Sequence, residues 1–262
     1  MTILLVILSF PLYFPLLTHS FSITLTEILT PPCDSLGQFL YEESVSHAGF
    51  PLVETVSDLL CSGDRLVSLE LCLCPITTHL LSLPMPLSDA IASLRNIYTQ
   101  ADIENALSGS ALLSRALLLS HVAAFQRESE AVSPVPPLVP PLEIEPIVAR
   151  ERWEGAAEGV AAALAAVEER RAAAKSRGCV VRYAATIGPE GISVRLQEYD
   201  EGHAFAMGEG WGVAVAIVTG RAPTPVVVCQ RARVEKGVPA TLAANLTGDL
   251  IRLRRMLVAD DA

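Results

Sequence analysis

The sequence predicts an α+β fold, with a helical N-terminal part, then a long helix, an antiparallel sheet of about four strands and a C-terminal helix. Three observations lead to this prediction. Apolar residues recur at helical spacing through much of the first half, period-two alternation begins only after Gly178, and regularly spaced leucines mark the last segment. Helices and strands segregated in this order are typical of α+β proteins.

The chain begins with an apolar leader, residues 1–25, whose role the sequence leaves open. The run is broken by Pro11 and Pro15 and is followed by small polar residues. A signal peptide cleaved near Ser20 would lack the usual basic n-region, and the run is short and interrupted for a membrane anchor. A spurious start that added a non-native leader, or a buried helix or strand, are the other interpretations.

Residues 26–130 are predicted to form a helical subdomain. Ser88 is the expected N-cap of one helix, whose apolar face consists of Ala90, Ile91, Leu94 and Ile97. A second helix is expected over about residues 110–130, with a broad apolar face. The following stretch, 131–149, is rich in proline, which predicts a stiff linker and a subdomain boundary.

Residues 150–262 are predicted to form the second unit. An Ala-rich helix from Arg150 to Arg177 is ended by Gly178, as a C′ glycine would end it. Two hairpins follow, with strands expected at 179–187, 191–199, 210–219 and 225–234. Pro239 then opens a last helix with a leucine stripe.

Charge and composition exclude some classes of function. The net charge of −10 arises entirely in residues 1–150, which contain five Lys and Arg against fifteen Asp and Glu, while the remainder is neutral. Nucleic-acid binding needs a basic stripe, so we expect no nucleic-acid partner. No polybasic segment indicates binding to a membrane surface, so we expect no membrane contact unless the leader is retained. The six cysteines are widely spaced, which favours reduced thiols in the cytoplasm.

The sequence shows no convincing catalytic constellation. The five histidines are scattered, and no cysteine or histidine spacing indicates a metal site. The stretch GEGWG at 208–212 precedes a predicted strand, whereas a phosphate-binding loop precedes a helix, so a turn is expected there. We therefore expect no enzyme activity, no catalytic residue, no metal and no cofactor.

The second half of the chain resembles the α subunit of the F-actin-capping protein. The similarity rests on the strand GCVVRYAATI with Gly178 and Tyr183, on Trp211 at the start of a later strand, and on LRRML near the C-terminus. It covers about residues 150–257. The family's asparagine-phenylalanine-tryptophan signature is absent, and the chain lacks the basic tail that follows the Leu-Arg-Arg-x-Leu motif in the family.

The resemblance implies a heterodimer with a capping protein β subunit that caps the actin filament barbed end, in the cytoplasm and cytoskeleton. It also implies that actin contacts the C-terminal helix through Arg252, Leu253, Arg254, Arg255 and Leu257. Physical chemistry alone explains these arginines equally well, since cations favour the last turn of a helix.

Two alternatives remain open. The order of Trp211, two strands and a closing helix is also similar to the COMM domain, which would imply a hetero-oligomerising adaptor in trafficking or ubiquitin-ligase control. A secreted or lumenal protein would follow if residues 1–20 are a true signal peptide.

Overall fold

The structure, a computed structural model, describes residues 52–117, 119–120, 142–154, 157–206 and 212–230. In chain order the elements are α1 (Leu52–Cys61), β1 (Leu66–Cys72), α2 (Pro75–Ser82), α3 (Leu87–Leu94), α4 (Gln100–Leu107), α5 (helical at 110–117 and 119–120), β2 (Leu142–Ile144), α6 (Arg150–Glu154), α7 (Ala157–Ser176), β3 (Cys179–Gly188), β4 (Gly191–Asp200), β5 (Val213–Thr219) and β6 (Val226–Gln230).

These strands form one mixed sheet of six strands in the order β2-β4-β3-β1-β5-β6. Strand β2 pairs in parallel with β4, and every other pair of neighbours is antiparallel. Strand β1 lies inside the sheet, where Leu71 is opposite Ala185 of β3 on one side and Val215 of β5 on the other. The first half of the chain therefore supplies a central strand to the sheet of the second half.

The predicted fold class is wrong, because the sheet is mixed and six-stranded and the N-terminal part is not purely helical. The four predicted strands are present as β3 to β6, but β1 comes from residues expected to be helical and β2 from the Pro-rich stretch. The β1 segment, LVSLELC, contains three leucines and one glutamate, which favour helices, and hydrogen bonding along both of its edges overrides this local preference. The division into subdomains and a linker stays a prediction, and the expected last helix lies outside the described residues.

The core lies between one face of this sheet and the helices. Alternate side chains of the strands point into it, including Leu69 and Leu71 of β1, which are fully buried. Helix α7 covers β3 with Leu164 and Val167, as expected for the Ala-rich helix.

Local signals account for several element ends. Gly63 and Gly178 take positive φ values of 74° and 71°, after α1 and α7 respectively, and Gly178 donates its N–H to the Lys175 carbonyl at 3.1 Å. Helix α3 begins two residues earlier than predicted, with Pro86 rather than Ser88 at the N-cap. In the described ranges, no helix combines the length and apolar character that crossing a membrane requires.

Candidate functional site

The candidate site lies where β1 ends and the chain turns into α2. The turn consists of Leu73 and Cys74, which are both buried. Cys74 is the N-cap of α2 and makes no side-chain capping bond, while its carbonyl accepts hydrogen bonds from the hydroxyls of Thr77 at 3.1 Å and Thr78 at 3.0 Å. These hydrogen bonds hold the backbone of the turn in the interior, next to helix α5.

Helix α5 places Arg115 against this turn. Its side chain is only 5% exposed, and its Nη1 donates a hydrogen bond to the Leu73 carbonyl. Burial lowers the pKa of the guanidinium, and the nearby Cys74 and Tyr98 act in the opposite direction. Among the described residues, no carboxylate forms an ion pair with Arg115. Burying a cation with so little compensation costs free energy of folding. Within the described residues, the protein nevertheless holds this positive charge without a counter-ion.

Two tyrosines lie in the same environment. Burial raises the pKa of the Tyr98 and Tyr183 hydroxyls above the ordinary tyrosine value, and the proximity of Cys74 adds to this in both cases. Tyr183 is fully buried and donates its hydroxyl hydrogen to the Glu145 carbonyl at 3.1 Å. Both hydroxyls stay protonated near neutral pH and act as hydrogen-bond donors rather than as bases.

We name Cys74, Tyr98, Arg115 and Tyr183 the Arg115 cluster. Arg115 binds the carbonyl of Leu73, the residue next to Cys74, and Cys74 and Tyr183 lie in one hydrophobic core against which Tyr98 packs. The cluster supplies one fixed positive charge and protonated hydroxyls in an interior that excludes water. Such a set can bind and orient a carboxylate, because charge-assisted hydrogen bonds are strong where the dielectric constant is low.

A second buried arginine has a structural role. Arg182 of β3 donates from Nε to the Phe205 carbonyl at 3.0 Å and from Nη1 to the Val181 carbonyl at 3.0 Å. Its Nη2 reaches the Ala206 carbonyl at 3.4 Å. Arg182 thus fixes the segment after β4 onto the face of the sheet opposite the main core, and several backbone acceptors compensate its charge.

The structure places only some of the residues singled out from the sequence. Gly178 ends α7 and Tyr183 lies in the Arg115 cluster. Trp211 and the five C-terminal residues Arg252, Leu253, Arg254, Arg255 and Leu257 lie outside the described residues, so the structure does not test them. In the described ranges, no group of three or more histidines, cysteines and acidic residues is placed to hold a metal ion.

Sequence reasoning missed Arg115, Cys74 and Tyr98. One signal was present in the sequence: Arg115 is a lone charge within the apolar stretch ALLSRALLL, on a helix whose neighbouring residues Leu112 and Ala116 are buried. A charged residue on a buried helical face requires compensation and is therefore a candidate for function.

Comparison with known proteins gives a consistent picture. No protein-family model matches the chain. Curated relatives include the homoserine dehydrogenase of Schizosaccharomyces pombe, 26% identical over 239 residues that cover 86% of this chain and 61% of that protein. The homoserine dehydrogenase of Paracoccidioides brasiliensis is 25% identical over 237 residues, covering 85% of this chain and 62% of that protein. The chain thus spans about three fifths of the length of these relatives.

Solved structures share the fold. A protein of unknown function from Candida auris superimposes with a TM-score of 0.64 at 21% identity, covering 81% of this chain and 60% of that one. A homoserine dehydrogenase from Thiobacillus denitrificans gives a TM-score of 0.58 at 16% identity, covering 91% of this chain and 51% of that one. A hyperthermophilic archaeal homoserine dehydrogenase in complex with NADPH gives 0.52 at 17% identity, covering 90% of this chain and 68% of that one.

These relatives overturn the resemblance to the F-actin-capping protein α subunit. The expected capping function, its cytoskeletal setting, the β subunit and actin as partners, and the absence of enzyme activity are wrong, because the curated relatives are homoserine dehydrogenases. Neither the COMM-type adaptor nor the secreted alternative gains support. The apparent motif misled because a C′ glycine followed by a strand with a buried tyrosine meets general folding needs, which unrelated proteins share.

Proposed function

We propose that this chain acts in a homoserine dehydrogenase-like oxidoreduction, and that its Arg115 cluster binds the carboxylate of the amino-acid substrate. The similarity to fungal homoserine dehydrogenases supports the reaction class. The site is assigned from one observation: Arg115 is buried and has no carboxylate partner among the described residues. Homoserine carries the carboxylate that such a cation would bind.

The proposed roles follow from the contacts of the cluster. The Arg115 guanidinium binds the substrate carboxylate, and its bond to the Leu73 carbonyl fixes its direction. The Tyr183 hydroxyl is engaged by the Glu145 carbonyl and therefore holds the segment after β2 against the site. Tyr98 packs against the same core, and its hydroxyl stays protonated because burial raises its pKa. These residues bind and orient the substrate, while bulk water is excluded by the surrounding core.

A dehydrogenase also needs a hydride acceptor, and a nicotinamide dinucleotide does not fit the connection from β1 to α2. A pyrophosphate cradle requires glycines and free N–H groups between a strand and a helix. Here the connection is Leu73-Cys74-Pro75, both turn side chains are buried, and Pro75 removes an N–H from the start of α2. We therefore assign substrate binding, and not binding of the hydride acceptor, to the described residues.

Substrate binding and turnover test the proposal separately. We would titrate the purified full chain with L-homoserine by calorimetry and measure NADP⁺-dependent oxidation of homoserine. Arg115→Leu is expected to weaken homoserine binding by about 10- to 100-fold, the loss typical of a hydrogen bond to a charged group. Arg95→Leu is the matched control, since Arg95 is an exposed arginine at the end of α3. The proposal fails if homoserine neither binds nor is oxidised, or if both variants bind it equally.

A further inference from the structure

A cleft of about 300 Å³ lies between the segment after β2 and helix α7. Its floor is apolar and consists of Ile147, Ala163, Val167 and Leu196. The volume is at the lower end of the range of about 300 to 1,000 Å³ found for ligand pockets, which limits an occupant to a small molecule. None of the Arg115 cluster residues lines this cleft.

The rim of the cleft carries both signs of charge. Glu145 and Arg170 lie on it, with Oε1 of Glu145 at 3.7 Å from Nη1 of Arg170. Arg170 has further partners, since its Nη2 donates to the Leu196 carbonyl at 2.9 Å and its Nε lies 3.7 Å from Glu198 Oε1. Arg170 is therefore held in place by the protein, while the Glu145 carboxylate lies beyond hydrogen-bond distance of it and can accept bonds from a ligand.

Arg152 of α6 is the second cation on the rim. Its Nη1 donates one long hydrogen bond, 3.3 Å, to the Gly159 carbonyl, and within the described ranges it belongs to no ion pair. An arginine with this little engagement can direct its guanidinium fork to a carboxylate with small loss of existing bonds.

We propose that this cleft binds a small aliphatic α-amino acid in its zwitterionic form. Arg152 binds the carboxylate, Glu145 binds the ammonium group, and the aliphatic side chain packs on the apolar floor. A simple anion would face Glu145, and a simple cation would face both arginines, so a molecule with both charges matches the rim best. The proposal does not depend on the proposed function, because no residue of the Arg115 cluster lines the cleft.

The backbone of the rim is fixed before any ligand arrives. The Glu145 N–H donates to the Val194 carbonyl at 2.8 Å, and the Tyr183 hydroxyl donates to the Glu145 carbonyl at 3.1 Å. Further along, the Val148 N–H donates to the Leu107 carbonyl at 3.1 Å. A rim held in this way loses little conformational entropy on binding, which favours affinity for a small ligand.

The probe is L-valine, titrated into the full chain by calorimetry. Isovalerate lacks its ammonium group and isobutylamine lacks its carboxylate, so these two molecules are the matched ligand controls. We expect valine to bind and each control molecule to bind at least about tenfold more weakly. Absence of valine binding up to about 10 mM, or equal binding of all three molecules, would overturn the proposal.

Paired variants test the location. Arg152→Gln and Glu145→Gln are each expected to weaken valine binding by about tenfold, whereas Arg150→Gln and Glu143→Gln, exposed neighbours outside the cleft, leave it unchanged. Ala163→Leu fills the floor and should abolish binding, while Ala162→Leu on the exposed side of α7 should not. Circular dichroism verifies that each variant is folded. Unchanged binding by folded Ala163→Leu protein contradicts the proposal.

One variant separates this inference from the proposed function. Arg115→Leu is expected to weaken homoserine binding by about 10- to 100-fold and to leave valine binding unchanged, because Arg115 does not line the cleft. If Arg115→Leu loses both ligands, valine binds at the Arg115 cluster and the cleft assignment is wrong. If it loses neither while the cleft variants lose valine, the proposed function fails and the cleft assignment stands.

Discussion

Gly109 and Tyr183 approach each other so closely that no side chain fits between them. A β-carbon built on Gly109 would lie well inside the 3.0 Å limit of real contacts to the Tyr183 hydroxyl oxygen, and Gly109 has a φ of 85°. Both the backbone conformation and the contact therefore require glycine. The approach brings the start of α5, the helix that carries Arg115, against the buried tyrosine of β3.

We predict that Gly109→Ala destabilises the protein by about 2 to 4 kcal/mol, since a positive φ and a steric clash act together. Chemical denaturation measures the change in the free energy of unfolding. Gly202→Ala is the control, because nothing lies within 4 Å of a β-carbon there, and it should cost under about 0.5 kcal/mol. Combining Gly109→Ala with Tyr183→Phe, which removes the clashing oxygen, should recover part of the loss. Strict additivity of the two substitutions would contradict the contact.

The positions of β3 to β6 were predictable from the sequence, whereas the sheet as a whole was not. Alternation and turn residues are local signals, and the pair from Cys179 to Gly188 and from Gly191 to Asp200 forms the hairpin that they indicate. Strand β1 depends on partners more than a hundred residues later in the chain, Ala185 and Val215, which no local pattern of RLVSLELC encodes. Strand β2 has three residues and pairs in parallel, which leaves no recognisable sequence pattern.

The candidate site was less predictable than the strands, because its residues come from separate parts of the chain. Cys74 follows β1, Tyr98 follows α3, Arg115 lies on α5 and Tyr183 lies on β3. Sequence reasoning missed Arg115, although a lone charge among leucines is a local signal of a buried polar site. The sequence motif found around Tyr183 led to the wrong family, although the same tyrosine belongs to the cluster.

Leu69 and Val67 test whether β1 is a buried strand. Leu69 is fully buried and Val67 is 38% exposed. Leu69→Ala should lower the free energy of unfolding by about 2 to 5 kcal/mol, as cavity-forming substitutions do, and Val67→Ala by under about 1 kcal/mol. Urea denaturation of both variants measures this. Similar costs at the two positions would argue against the strand register.

Thiol labelling gives an independent test of the same region. Cys61 and Cys229 are exposed, while Cys72 and Cys74 are buried at the end of β1, and burial raises the pKa of the Cys72 thiol. Under native conditions we expect iodoacetamide to modify Cys61 and Cys229 at least about tenfold faster than Cys72 and Cys74, because thiolate character and access control the rate. Peptide mass spectrometry follows each site, and denaturant should make the rates converge. Fast native labelling of Cys72 would exclude an interior β1.

Arg115→Leu is expected to change the free energy of unfolding by less than about 1 kcal/mol. Removing a buried cation is favourable and leaving the Leu73 carbonyl without its donor is unfavourable, and the two effects are each about 1 to 3 kcal/mol. Thermal and urea denaturation, run beside the homoserine titration, compare stability with binding. A residue retained for function loses binding without losing stability. A loss of stability above about 3 kcal/mol would show that Arg115 is chiefly structural.

The acid side of the stability curve should depend on Glu198. A hydrogen bond from Arg177 holds the pKa of Glu198 below the ordinary glutamate value, with further help from the nearby Arg170. The unfolded chain then binds the proton more readily than the folded protein. The stabilisation that the charged Glu198 contributes is therefore present above the ordinary pKa of about 4.3 and is lost as the pH falls through the lower folded pKa.

Glu198→Gln should destabilise the protein more at pH 7 than at pH 3, and added salt should shrink the difference, since these groups face solvent. Glu169→Gln, at an exposed position on α7 outside every ion pair of the described residues, is the matched control variant. A Glu198→Gln effect of equal size at both pH values would mean that the bond from Arg177 does not stabilise the charged form.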